Sequence, residues 1–378
     1  MKNSHNLQDE KKFLIWDLPT RFFHWLFVLS FVFAWITSEN DRFLYEHVFA
    51  GYAFAGLLLF RFLWGWIGSY YALFRSFAYD WNSVSDYLKG LLTGEAQRHI
   101  GHNPAGGWAI FGILSLSLIV IISGLMVFGG EEGHGPLASV VGFELGHYMK
   151  EVHEIAATIL LLLVFVHVVG VIFESIFHRE NLVRAMITGH KPVPGESVKV
   201  RLYGTLAVVM LLSLIFSAGL YFRGYIQQTD AEPFIAFTSP ALPGNDTWQE
   251  ECGDCHMAFH PTLLPARSWQ LMLENQNDHF EEDLEYEEEK IIELLDFAVK
   301  NAAESKQTEA AFKINKTEPE SSSPQRITGT VYWKEKHEEI EEKYWTSEQV
   351  GARNNCEACH LDAKTGWFED SNMRLPKL

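Results

Sequence analysis

Five apolar segments, approximately residues 22–36, 47–68, 107–128, 152–175 and 201–222, dominate the first 222 positions of the 378-residue chain. Each suits a hydrocarbon core roughly 30 Å thick, the first with help from its flanking residues. Within lipid every backbone polar group must be satisfied inside the spanning element, so an open-ended chain crosses as helices. The sequence therefore predicts five transmembrane helices.

The loops orient them. Lys2, Lys11, Lys12 and Arg21 precede the first span or open it. Arg75, Lys89 and Arg98 fall between the second and third, and Arg179, Arg184, Lys191 and Lys199 between the fourth and fifth. The opposite loops, residues 38–46 and 129–151, are acidic and carry only Arg42 and Lys150. Cytoplasmic loops concentrate Lys and Arg, which predicts a cytoplasmic N-terminus and, in a bacterium, a multi-pass inner-membrane protein with a periplasmic C-terminal domain. No small-residue cleavage site closes the first apolar run, so it reads as an uncleaved anchor.

Charge separates the halves. Residues 226–378 hold 31 Asp+Glu against 14 Lys+Arg, and that net −17 is nearly all of the chain's −18. Such a surface excludes nucleic acid, which needs clustered Lys and Arg. It suits a soluble redox partner steered by charge. The expected division is a membrane domain over 1–198, a fifth helix and linker over 199–228, and an outer domain over 229–378. Within the last, helices are expected near 269–275 and 287–303, with 304–325, rich in Lys, Glu, Ser and Pro, a mobile connection.

All four cysteines lie in two motifs, Cys252-Gly253-Asp254-Cys255-His256 and Cys356-Glu357-Ala358-Cys359-His360. This is the C-x-x-C-H pattern of covalent haem c attachment. Two thiols three positions apart add to the two vinyl groups of one porphyrin, and the next residue gives the iron its proximal imidazole. A zinc ribbon would separate its knuckles by roughly 15–20 residues, not by the hundred or so found here. Covalent haem is attached outside the bacterial membrane, which agrees with the loop charges. Candidates for the sixth ligand are His260, His279, His337, Met257, Met272 and Met373. His279 and His337 are preferred, because their separation from the proximal histidines lets the chain fold back over the ring. The sequence does not assign either to a particular haem. His260, four residues after His256, points the same way along a helix.

Histidine within an apolar span is costly and marks function. His24 lies at the cytoplasmic end of the first span and His47 at the outer end of the second. His153 and His167 share the fourth, 14 residues or roughly 21 Å apart at 1.5 Å per residue. Fourteen steps of 100° fall within about 40° of four full turns, so both leave one helix face. Depth pairs His47 with His153 at the outer level and His24 with His167 at the inner, each pair suited to clamp a non-covalent haem b through neutral imidazoles. His99, His102, His134, His147, His178 and His190 read as solvated or interfacial loop residues, with His134 and His147 as understudies for the outer haem. Arg21, Arg61 and Glu154 lie near haem levels and read as helix-end residues.

The stretch Trp16-Asp17-Leu18-Pro19-Thr20-Arg21-Phe22-Phe23-His24-Trp25 resembles the bacterial cytochrome b561 family, which includes hydrogenase-type membrane cytochromes. His47 opening the second helix, Gly101-His102-Asn103-Pro104, Val152-His153-Glu154 and His167 extend the likeness. It implies two haem b in a four-helix bundle held by His24, His47, His153 and His167. Residues 248–378 resemble the small dihaem cytochrome c family through Cys252–His256, Leu263-Leu264-Pro265, Ser268-Trp269, His279-Phe280, Asn301-Ala302-Ala303, Trp333 with His337, and Cys356–His360. That likeness implies bis-histidine haems with His279 and His337 as distal ligands. One departure is His260-Pro261, where relatives more often read Pro-Pro.

The expected fold is all-α: a transmembrane di-haem b bundle, a fifth transmembrane helix, and a mostly helical periplasmic dihaem domain. The expected function is transmembrane electron transfer between the quinone pool and a soluble periplasmic redox protein through two haem b and two haem c, in the direction of quinol oxidation. Two alternatives stand beside it. Electrons could enter from a periplasmic donor such as a hydrogenase or superoxide, or the chain could anchor a cytochrome c that docks and reduces a gas-binding cytochrome.

Overall fold

A computed structural model describes residues 11–138, 140–193, 198–229, 234–235, 237 and 240–377; Lys2, used above for orientation, lies outside them. Contacts divide the chain into two compact units. The first comprises residues 1–39, 46–124 and 151–228, and the second comprises 40–45, 125–150 and 229–378.

Strand β1 (Lys11–Leu14) pairs antiparallel with β2 (His190–Val193), Lys11 opposite Val193. Helix α1 (Leu18–Thr37) follows β1, with Pro19 in its first turn and Asp17 as its cap. The Asp17 carboxylate accepts the Thr20 N–H at 2.7 Å, satisfying a donor that the first turn leaves free. Then come α2 (Leu44–Ile67), the amphipathic α3 (Trp81–Thr93), α4 (Pro104–Gly130), α5 (Phe143–Phe177), α6 (Leu182–Thr188), α7 (Gly204–Tyr221) and α8 (Arg223–Gln227). Asp80 caps α3, and Gly94, at φ 81°, ends it in the left-handed conformation that glycine adopts without strain.

Among the described residues, α1, α2, α4, α5 and α7 are long and apolar enough to cross a membrane. These are the five expected spans, and the chain is a multi-pass membrane protein. Helix α5 begins nine residues before the apolar run does, because hydropathy marks lipid depth and not helix ends. The first unit is held by Phe23 and Phe27 of α1 against Phe54, Leu57 and Leu58 of α2, Leu114 of α4 and Leu160 of α5. The rings of Phe27 and Phe54 stack with centroids 4.0 Å apart. Outward-facing residues are also apolar: Leu162, Phe165 and Ile176 are 60–73% exposed. A continuous apolar exterior of this kind belongs in lipid.

The second unit contains α9 (Asp246–Gly253), α10 (Ala266–Glu274), α11 (Glu288–Lys300), α12 (Glu309–Thr317), α13 (Val331–Lys336) and α14 (Glu342–Trp345). Its core gathers Trp248, Leu264, Trp269, Leu273, Leu294 and Phe297. Both buried indoles find acceptors: Trp248 donates to the Phe259 carbonyl at 3.0 Å and Trp269 to the Pro261 carbonyl at 2.8 Å. Apolar bodies thus fill the core while polar tips fix the segment after the first Cys motif.

The connection expected to be mobile over 304–325 is instead structured. Ala310, Ala311 and Ile314 bury one face of α12. Glu304 accepts the Ala266 N–H at 2.9 Å, and Arg267 donates to the Pro319 carbonyl at 2.9 Å and to that of Ser322. Composition alone hid that 3–4 spacing of small apolar residues.

Candidate haem-binding sites

His47, in the first turn of α2, and His153, of α5, face each other with ring centroids 6.1 Å apart. His47 Nδ1–H donates to the Ala34 carbonyl at 2.9 Å. His153 Nδ1–H donates to the Val120 carbonyl at 2.9 Å, with Ser123 Oγ at 3.3 Å. A carbonyl only accepts, so both rings are held as Nδ1–H tautomers with Nε2 free for a metal. Ring-orienting bonds of this kind accompany metal-binding histidines. Gly124 belongs to the same arrangement, since a Cβ there would stand 2.9 Å from the His153 ring.

His24 of α1 and His167 of α5 lie within electrostatic reach of each other. His24 Nδ1 is buried without a hydrogen-bond partner among the described residues.

The second unit repeats the pattern twice. His256 and His279 have centroids 6.3 Å apart, and His337 and His360 6.1 Å. His256 Nδ1–H donates to the Met257 carbonyl and His337 Nδ1–H to the Trp333 carbonyl, both at 2.8 Å. A tight turn brings His279 round: its N–H donates to the Glu282 carbonyl at 2.8 Å, with Phe280 and Glu281 between them at positive φ. Burial lowers the His279, His337 and His360 pKa values below the ordinary imidazole range, and His256 adds to the effect on His279. These rings are therefore neutral, the form that binds iron. Burial also raises the Cys252 thiol to about 12 and the Cys356 thiol to about 11. The second motif lines a cavity with Trp333, His337, Cys356, Cys359, His360 and Met373.

One length tests whether these pairs suit an iron. A metal–imidazole bond of about 2.0–2.1 Å on each side, plus about 1.1 Å from nitrogen to ring centre, requires centroids roughly 6.2–6.4 Å apart. Three pairs meet it within about 0.1 Å. Hydrogen-bonded or stacked imidazoles have no reason to repeat this separation.

Other sequence readings change. His260 uses both ring nitrogens within the protein, Nε2 on the Pro243 carbonyl and Nδ1 on Thr262, both at 3.0 Å. Met272 packs against the core of the second unit, and Met373 forms a β-bridge with His360, the residue expected as proximal ligand. His134 is no solvated loop residue: it is 6% exposed, among Phe128, Phe237 and Trp367. His147 lies on α5 between Phe143 and Phe312, 3.3 Å from Glu131. These occupied surroundings displace both as understudies. His102 is wedged between Trp16 and Phe77 at 4.7 and 4.5 Å. Arg61 is no helix-end residue either, being 4% exposed within α2. Its burial had no signal in the sequence beyond its 14-residue distance from His47.

Paired histidines in an apolar bundle and two Cys-x-x-Cys-His segments define a membrane-bound haem protein of the electron-transfer class. Residues 15–189 match the family model described as prokaryotic cytochrome b561, and residues 248–368 that of dihaem cytochrome c. Similar proteins include the probable Ni/Fe-hydrogenase B-type cytochrome subunit of Rhodobacter capsulatus, 20% identical over 218 residues, covering 49% of this chain and 83% of that one. The corresponding subunit of Cupriavidus necator is 26% identical, covering 47% and 86%. Among solved structures, the diheme cytochrome c from Rhodobacter sphaeroides is 31% identical, covering 34% of this chain and 100% of that one, at a TM-score of 0.31. The diheme cytochrome type c from Shewanella baltica OS155 is 27% identical, covering 36% and 97%, at 0.30. Residues 15–189 thus form a prokaryotic cytochrome b561 domain and residues 248–368 a dihaem cytochrome c domain. It binds haem b and haem c and transfers electrons at a membrane.

Proposed function

We propose that this chain takes electrons from a membrane quinol and delivers them to a soluble periplasmic redox protein through two haem b and two haem c. The observation that carries the reading is the 6.1–6.3 Å separation repeated in three histidine pairs. His47 and His153 hold the outer haem b, and His24 and His167 the inner one. Cys252 and Cys255 tether a haem c ligated by His256 and His279, and Cys356 and Cys359 one ligated by His360 and His337. When bound, haem supplies a one-electron iron couple. The residues fix ring orientation through Ala34, Val120, Met257 and Trp333, and burial holds the His279, His337 and His360 imidazoles below their ordinary range. Cationic loops on one side of the spans and acidic loops on the other support a cytoplasmic N-terminus and a periplasmic haem c domain. The net −17 of the outer residues favours a partner with a basic docking face.

The test is a pyridine haemochrome spectrum before and after acid–acetone extraction, then reduction by a quinol analogue. Two extractable and two retained haems per chain, with haem c reduced through haem b, are expected. One extractable haem would remove the inner site. Hydrogenase-subunit relatives favour a second reading, in which a periplasmic donor passes electrons inward to quinone. Rapid reduction by a soluble donor with no quinol activity would select it.

A further inference from the structure

Arg61 is a buried cation with no salt-bridge partner among the described residues. It is 4% exposed, and its Nη1 is buried with no hydrogen-bond partner among the described residues. The guanidinium lies over the Phe74 ring at 4.7 Å and 5.7 Å from that of Phe77. Asp17 acts on it electrostatically, but its two carboxylate oxygens already accept the Thr20 N–H and the Trp64 indole N–H. Removing a charge from water without a paired partner costs several kcal/mol, so a site that keeps one is built for an anion.

Its depth says where. Arg61 follows His47 by 14 residues, the interval from His153 to His167. Second and fourth spans of an alternating bundle run the same way, and His47 and His153 face each other. Arg61 therefore reaches the level of His167, roughly 21 Å deeper, on the face of α2 that carries His47. His102 feels Arg61, His167 and His24 together. Among the described residues, further buried polar atoms without hydrogen-bond partners in this region include His102 Nδ1 and Arg21 Nε, although Arg21 Nη1 donates to the Ile187 carbonyl at 2.7 Å.

A guanidinium fork matches a planar carboxylate, and haem b carries two as propionates. We propose that Arg61, with His102 beside it across the Phe77 ring, binds a propionate of the inner haem b. The inference rests on His24 and His167 being that haem's ligands. Arg61 then has two consequences: it neutralises a buried carboxylate, and it favours the reduced iron.

The experiment uses the full-length holoprotein in detergent. The haem content of the unaltered chain comes first, and absence of the second haem b would overturn this inference together with the ligand assignment. With two present, spectroelectrochemical titration of Arg61→Gln should lower one haem b midpoint by about 59 mV or more, a tenfold one-electron shift. The other haem b and both haem c should stay in place, and Arg61→Lys should restore most of the shift. Loss of one haem b in Arg61→Gln that Arg61→Lys rescues supports the same assignment, whereas loss in both variants overturns it. Two retained haems with unmoved potentials also overturn it. If KM for a quinol analogue rises at the same time, the guanidinium serves a quinone carbonyl instead.

Discussion

The Trp64 indole of α2 donates its N–H to the Asp17 carboxylate at 3.1 Å, while the other oxygen of that carboxylate caps α1. One buried acid, 0% exposed, therefore locks the start of the first span to the end of the second. Asp17→Ala removes the cap, worth about 1 kcal/mol, and orphans a buried indole N–H, worth about 1–3 kcal/mol. Thermal release of haem b should occur several degrees lower, with haem c content unchanged. An unchanged midpoint would refute the lock.

His153→Ala should remove one extractable haem per chain and leave both covalent haems. His134→Ala and His147→Ala should leave the count intact, because Phe237 with Trp367 and Phe312 with Glu131 already occupy the surroundings of those rings. A lost haem b in either of the last two would restore it as a ligand.

His337→Met should raise the midpoint of one haem c, since methionine ligation raises the potential relative to histidine. The haem of the Cys252 motif, paired with His279, should not move. A shift in that haem alone would reverse the pairing.

Glu132 and Glu369 of the second unit are both lifted above the ordinary carboxylate range. Burial, then Glu309, lifts Glu132 to about 7, and burial, then Glu132, lifts Glu369 well above the carboxylate range. Lys150 opposes the shift of Glu132. A carboxyl raised on folding stabilises below its unfolded value of 4.5, and that contribution is lost as pH climbs through about 7. The Glu132 carboxyl should contribute on the order of 2 kcal/mol more stability at pH 5.5 than at pH 8, against the opposite slope of His134, which burial lowers to about 4. Glu132→Gln should remove that contribution, and a difference in melting temperature between the two pH values that is the same in Glu132→Gln as in the unaltered chain would sink the raised Glu132 carboxyl.

Much of this was legible because lipid and haem impose strong local patterns. The five spans follow from residue type alone, and Cys252–His256 and Cys356–His360 are contiguous. His167 stands out because nothing polar surrounds it in sequence. What stayed hidden depends on distant partners. Trp16 lies 86 residues from the His102 it covers. An arginine six residues from the end of α2 looks like a side chain that snorkels to the interface, and only its burial beneath Phe74 shows otherwise. The pairing of His279 with His256 needed the turn at Phe280–Glu281, whose residues are not the usual occupants of positive φ.

Helix α5 runs 35 residues without interruption, about 52 Å, and carries both His153 and His167. Two positions on one continuous helix form a ruler that domain motion cannot stretch. In the proposed arrangement the inner hop has a fixed length, and natural variation can tune it only through the driving force. Adaptation to a new donor or acceptor then falls to groups such as Arg61, which alter energy without altering distance.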